Sequence, residues 1–130
     1  MVNSQNLLIG IDLGWEEKKT TGICILKNAK IIFAKDVFGK SILRVVNPYL
    51  KNTAVIAIDA PLSLPAGRES IEQKTNVHLR ECDKKLLRRG IKFFPVTLGP
   101  MRKLTTRGIK LRRTLENNSF KVIEVYPGGA

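Results

Sequence analysis

Short continuous apolar runs alternate along this chain with longer stretches whose apolar residues fall three or four apart. Residues 7–13, "LLIGIDL", are apolar at both parities, which predicts a strand buried on both faces. Residues 20–26 and 29–37 are further β-type runs, joined by "LKNAK", where Asn28 suits the turn. Three such runs in close succession predict an antiparallel meander. Residues 40–51 place Ile42, Leu43, Val46 and Leu50 at helical spacing, with Pro48 expected to kink or shorten the helix. Residues 54–58 form another continuous apolar run. Strand, helix, strand at this point implies a right-handed crossover and a parallel pairing.

The pattern changes after "APLSLPAG". Residues 69–89 are polar, with Val77, Leu79, Cys82 and Leu86 available for one side of a helix that Gly90 would end. "FFPVTLGP" predicts a loop. Residues 104–115 predict a helix with Leu104, Leu111 and Leu115 inward and most of its cations outward, and "KVIEVYP" predicts a last strand. With no internal repeat or low-complexity tract, residues 1–130 read as one α/β domain, a mixed sheet covered by helices.

Three carboxylates interrupt the apolar strands. Asp12, Asp59 and Glu124 each follow apolar residues near a predicted strand end. A lone buried carboxylate costs several kcal/mol, roughly, unless something pairs with it. At the carboxyl ends of parallel strands such acids open onto the crevice where open α/β sheets bind ligands. Neighbouring strands lie about 4.8 Å apart, so two aspartates there can share a divalent cation that removes their repulsion. Mg2+ or Mn2+ suits an all-oxygen site and assists phosphodiester cleavage. The plainer alternative has Asp59 capping the next segment and Asp12 hydrogen-bonding the "LGW" turn.

Charge adds a second line. The net value is +12, and the segment from Arg68 to Arg113 carries fourteen Lys/Arg against four acids. That clustering favours a polyanionic partner, while a lysine-rich solvated surface would read the same way. No apolar run approaches the ~20 residues of a membrane span, and "MVNSQN" lacks the outline of a secretory signal, so a cytoplasmic protein is expected. Cys24 and Cys82 have no metal-ligand spacing and are expected to be two buried thiols.

Other candidates carry less. His78, the only histidine, is expected on an exposed helix position, which leaves no Ser/His/Asp triad. No G-x-x-x-x-G-K-[ST] loop exists for Lys74 or Lys103 to serve. Arg80 and Asp83, three apart, are expected to pair along a helix, with the alternative that Asp83 points into the acidic crevice.

"GIDLGW", "TGICIL", "IAIDAPLSLP-x-G-R", "LRECDKKLLRRGIKFFP", "LGPMRKLTTRGIKL" and "IEVYPGGA" together resemble the DUF429 family, which is grouped with predicted nucleases of the ribonuclease H-like superfamily. The resemblance runs along nearly the whole chain. It implies three antiparallel strands, a helix and then parallel strands. Asp12 matches the acid ending the superfamily's first strand and Asp59 the acid of its fourth. By that scheme the two hold the metal and Glu124 completes the site. Arg68, Arg80, Asp83 and Glu124 fall on polar positions of the DUF429 motifs. Related chains continue past "EVYP" into further helices, one of which normally adds a metal-binding acid. By that pattern this chain is a C-terminally short member, takes the missing piece from a partner, or has an incomplete metal site, with self-association covering the exposed side.

The leading expectation is a metal-dependent nuclease. Asp12 and Asp59 would bind Mg2+ or Mn2+ with help from Glu124 or Asp83, and Arg68, Arg80, Lys103, Arg107 and Arg113 would position the backbone of DNA or RNA. The first alternative is a nucleic-acid-binding protein without catalysis. The second is an actin-like phosphotransfer domain, disfavoured because the chain holds room for one copy of a fold that such proteins duplicate.

Overall fold

The computed structural model of the chain describes residues 6–129. Five strands, β1 (Leu7–Asp12), β2 (Thr20–Lys27), β3 (Lys30–Phe38), β4 (Thr53–Asp59) and β5 (Val122–Glu124), form one sheet in the order β3-β2-β1-β4-β5. β1 to β3 are antiparallel, whereas β4 joins β1 and β5 joins β4 in parallel. This mixed order is compatible with a ribonuclease H-like core. The helices are α1 (Ile42–Val46), α2 (Glu81–Arg88) and α3 (Met101–Asn117). Among the described residues no helix is long and apolar enough to cross a membrane.

The hairpin between β2 and β3 turns on two residues, Asn28 and Ala29, with φ of 51° and 65°. A two-residue turn of positive φ matches the twist of the flanking strands, and Asn tolerates that conformation well. Pro48 limits the crossover helix as its chemistry requires. α1 is five residues long and gives way to a 3-10 segment, Asn47–Asn52, with the proline in its first turn.

The sheet's two faces differ. Leu7, Ile9 and Ile11 of β1, Ile23 and Ile25 of β2, and Ile56 and Ile58 of β4 are buried against Ile42 and Val46 of α1 and Leu104 and Leu115 of α3. The alternate residues, Leu8 of β1, Ile31 of β3 and Ile123 of β5 among them, are exposed. Burial of β1 on both faces, expected from its unbroken apolar run, therefore does not hold. The run reflects an apolar face that nothing among the described residues covers.

α3 lies close to the chain just beyond β4. A Cβ on Gly108 would collide with the carbonyl oxygen of Pro61, so only glycine admits this approach. Thr105, fully buried, donates its hydroxyl to the carbonyl of Val96 at 2.6 Å and ties the loop before α3 to the helix.

The helix expected over residues 69–89 is the main departure. Only Glu81–Arg88 is helical, and residues 69–80 are irregular. Arg68 is the reason. Its buried guanidinium donates to the carbonyls of Ser70, Ile71 and Val77 at 3.0, 2.8 and 3.0 Å. Those carbonyls are thereby committed to a side chain and not to a helical ladder.

Candidate active site

Asp12 and Asp59 stand side by side. They are register partners across the parallel β1–β4 pair, each the last residue of its strand. A continuous hydrophobic strand delivers each carboxylate to the sheet edge where its chain turns away. Burial, and then the neighbouring charge of Asp12, raise the Asp59 carboxyl above its ordinary range. No Lys, Arg or His among the described residues forms an ion pair with either acid.

The row continues across the sheet. Asp12 faces Gly22 of β2, and Gly22 faces Asp36 of β3. A Cβ at Gly22 would lie 3.5 Å from Asp36 Oδ1 and 3.7 Å from Asp12 Cβ, so both acids lean over the glycine. Asp36 escaped the sequence reading. The turn at Asn28 and Ala29 alone would set Lys35 opposite Gly22; a register shift between Ile25 and Leu26 brings Asp36 there instead, and no sequence pattern records that shift.

Glu124 lines the same cavity as the two aspartates but reaches it from the other face of the sheet. Its register partner is Ile58, a residue of the helix-covered face, whereas Asp59 is the next residue along and belongs to the other face. Glu124 instead accepts two bonds from Arg80, Nη1 to Oε1 at 2.7 Å and Nη2 to Oε2 at 2.9 Å, and one from the Leu62 amide at 2.8 Å. Arg80 also holds Asp83 through Nε and Nη2, both at 3.0 Å, while its own amide donates to Asp83 Oδ2 at 2.9 Å. Asp83 is thus the expected partner of Arg80, closing the start of α2 as a capping residue, and it also lines the cavity onto which the acid pair opens. Burial pulls the Arg80 guanidinium down, but hydrogen bonds to Glu124 and Asp83 outweigh it and hold the group charged beyond its ordinary range.

Of the five cations expected to contact nucleic acid, three are occupied with structure. Arg68 binds backbone carbonyls and Arg80 binds two acids. Arg107 donates to the carbonyl of Gly14 and fastens α3 to the loop after Asp12. Lys103 is exposed and bonds Glu16 at 2.9 Å, and Arg113 is exposed on the far half of α3. His78 lies in the irregular segment, half-buried, with Nδ1 2.7 Å from the Thr97 hydroxyl, so the exposed helical position does not hold. The cysteines are free, as expected, but not buried: Cys24 is half-buried and Cys82 exposed. Partial burial still pushes the Cys82 thiol up, away from reactivity.

A cavity of about 430 Å³ opens at the carboxyl ends of the strands, with Asp12, Asp59, Arg80 and Glu124 on its polar side and Leu13, Leu86, Phe93, Val96, Met101 and Leu104 among its apolar walls. Among the described residues no three acids, histidines or cysteines gather closely enough to hold a metal ion by themselves. Two adjacent carboxylates nonetheless fit the way Mg2+ is commonly held, by one or two carboxylates with water and substrate phosphate completing the shell.

Comparison with known protein families matches residues 10–130 to DUF429, described as a protein of unknown function. No curated protein and no solved structure matches the chain. A match extending from β1 through the segment after β5 takes in every element that builds the acid pair and its cavity, and on it the chain belongs to the DUF429 family.

Proposed function

We propose that the protein is a divalent-metal-dependent phosphodiesterase that hydrolyses nucleic acid. The observation that carries this reading is the register pairing of Asp12 with Asp59 at the ends of adjacent parallel strands, without an ion-pair partner among the described residues. Mg2+ or Mn2+ bound there would supply Lewis acidity to the scissile phosphate. Asp12 and Asp59 would hold the cation, and substrate phosphate with water would complete its shell. Arg107 steadies the loop that follows Asp12, and the Arg80–Glu124 pair fixes the chain after β4 through Leu62. The basic segment between Arg68 and Arg113 supplies attraction for a polyanion. Free thiols at both cysteines suit a reducing compartment, in keeping with a cytoplasmic setting.

The test is cleavage of labelled single-stranded, duplex and hybrid substrates with Mg2+, Mn2+ or EDTA, run beside the Asp12→Asn, Asp59→Asn double variant. Metal-dependent cleavage lost in that variant is the expected result; cleavage that survives the double substitution would overturn the assignment. A second reading, nucleic-acid binding without catalysis, is favoured by the engagement of Glu124 with Arg80, which leaves two acids where a third was expected. Salt-sensitive binding with no cleavage in any metal would select it.

A further inference from the structure

The cavity beside the acid pair is more apolar than a phosphate backbone requires. Its mouth carries three exposed aromatic rings from three separate stretches of chain. Trp15 follows β1, Phe94 precedes α3 and Tyr126 follows β5, and they are 42%, 75% and 44% exposed. Single exposed aromatics are ordinary, but three gathered at one opening mark a binding surface. Tyr126 is held in place: its hydroxyl donates to the Lys92 carbonyl at 2.7 Å, and its ring lies against the backbone of Gly129, where a Cβ would come within 2.8 Å. The stretch that contributes Leu86, Phe93 and Phe94 also carries Lys85, Arg88, Arg89 and Lys92, all exposed and none in an ion pair among the described residues.

We infer that this cavity receives an unpaired nucleobase, so that the substrate is single-stranded or locally unpaired nucleic acid. The inference rests on the proposed nucleic-acid-directed function and names its substrate class. In an intact duplex the base faces are hidden in the stack, and only groove edges and backbone are presented. A phosphate gains nothing from walls of leucine, valine and phenylalanine. A base freed from its stack can lay its faces against aromatic rings and turn its polar edge to Arg80 and Glu124 on the cavity's polar side, while neighbouring phosphates meet the exposed cations of the same stretch. A volume of about 430 Å³ falls within the ordinary range for an enclosed small ligand, about 300–1,000 Å³. Asp12 and Asp59 line the same cavity, so the phosphate beside the bound base is the one presented to them.

Trp15 is the only tryptophan, so its fluorescence reports on the cavity mouth directly. The intact chain is titrated in EDTA with oligothymidylate, with a blunt duplex and with thymidine monophosphate, at matched salt. Oligothymidylate and the mononucleotide are expected to change Trp15 emission and the duplex is not. Phe94→Ala, a change at an exposed ring, is expected to weaken oligothymidylate binding about tenfold, the scale of one lost stacking contact. Equal binding of duplex and single strand, or an unchanged affinity in Phe94→Ala, overturns the inference. The two readings fail separately: Asp12- and Asp59-dependent cleavage of duplex without a Trp15 response keeps the nuclease and removes the base pocket. A Phe94-dependent single-strand complex without cleavage keeps the pocket and removes the nuclease.

Discussion

Arg80 grips both carboxylate oxygens of Glu124 across 44 residues of sequence, at 2.7 and 2.9 Å, while its Nε and Nη2 also hold Asp83. One guanidinium thus joins the start of α2 to the end of β5. Asp83 is 1% exposed, so removing Arg80 leaves a buried carboxylate with no countercharge. Arg80→Met is expected to lose about 3–5 kcal/mol in urea denaturation, the usual cost of breaking a buried pair from one side. A loss below about 1 kcal/mol would show that water reaches Asp83 and that the cluster is not structural.

Arg68 separates two readings of a basic residue. Its bonds go to three backbone carbonyls, so Arg68→Lys, which cannot reproduce the planar fork, is expected to destabilise the chain by about 1–3 kcal/mol. The salt dependence of nucleic-acid binding by the same variant is expected to match the unaltered protein. A shallower salt slope would return Arg68 to the binding surface.

Asp59 sets the sign of a pH effect. Its carboxyl is raised in the folded state, so the folded chain keeps a proton that the unfolded chain has released. The stability this confers is fully present below the ordinary carboxylate range and is lost as pH rises through the raised value. Asp59→Asn is therefore expected to melt higher than the unaltered protein at neutral pH, with the difference vanishing in acid. Added Mg2+ or Mn2+ is expected to raise the unaltered melting temperature at neutral pH and to leave Asp59→Asn unmoved. Calorimetry at several pH values, with and without metal, decides both; a variant that melts lower at neutral pH contradicts the cost of burying the Asp59 charge beside Asp12.

Ala29 occupies a left-handed conformation that glycine adopts without strain. Relief of about 1–2 kcal/mol is set against glycine's added freedom in the unfolded chain, about 0.5–1 kcal/mol. Ala29→Gly is expected to gain about 0.5–1 kcal/mol in denaturant titration. A loss would mean that the hairpin does not use this turn in solution.

The strands and the pairing of Asp12 with Asp59 were legible because they rest on local pattern: unbroken apolar runs, a turn residue at Asn28, and a crossover of the right length. The long helix α3 was legible from Leu104, Leu111 and Leu115. Three things were not. The segment from 69 to 80 was read as the first part of a helix that Gly90 would end, yet a side chain outside it takes its carbonyls, a choice no periodicity records. Glu124 looked like a third ligand because its position along the strand is right. Its parity is wrong, and parity between β4 and β5 depends on a register fixed only by the folded sheet. The free face of β1 is apolar, so composition could not distinguish it from a covered one.

The seat of α3 on Pro61 has a consequence of its own. With no side chain at Gly108, helix meets loop as backbone against backbone, a hard stop that repacking elsewhere cannot loosen. Pro61 is two residues past Asp59, so the depth of the acid's strand end is set at a contact that mutation cannot tune by degrees. Lys110 and Arg113, exposed on α3, carry no such constraint. Substitution on that exposed side leaves the seat of the helix, and with it the strand end that carries Asp59, where it is.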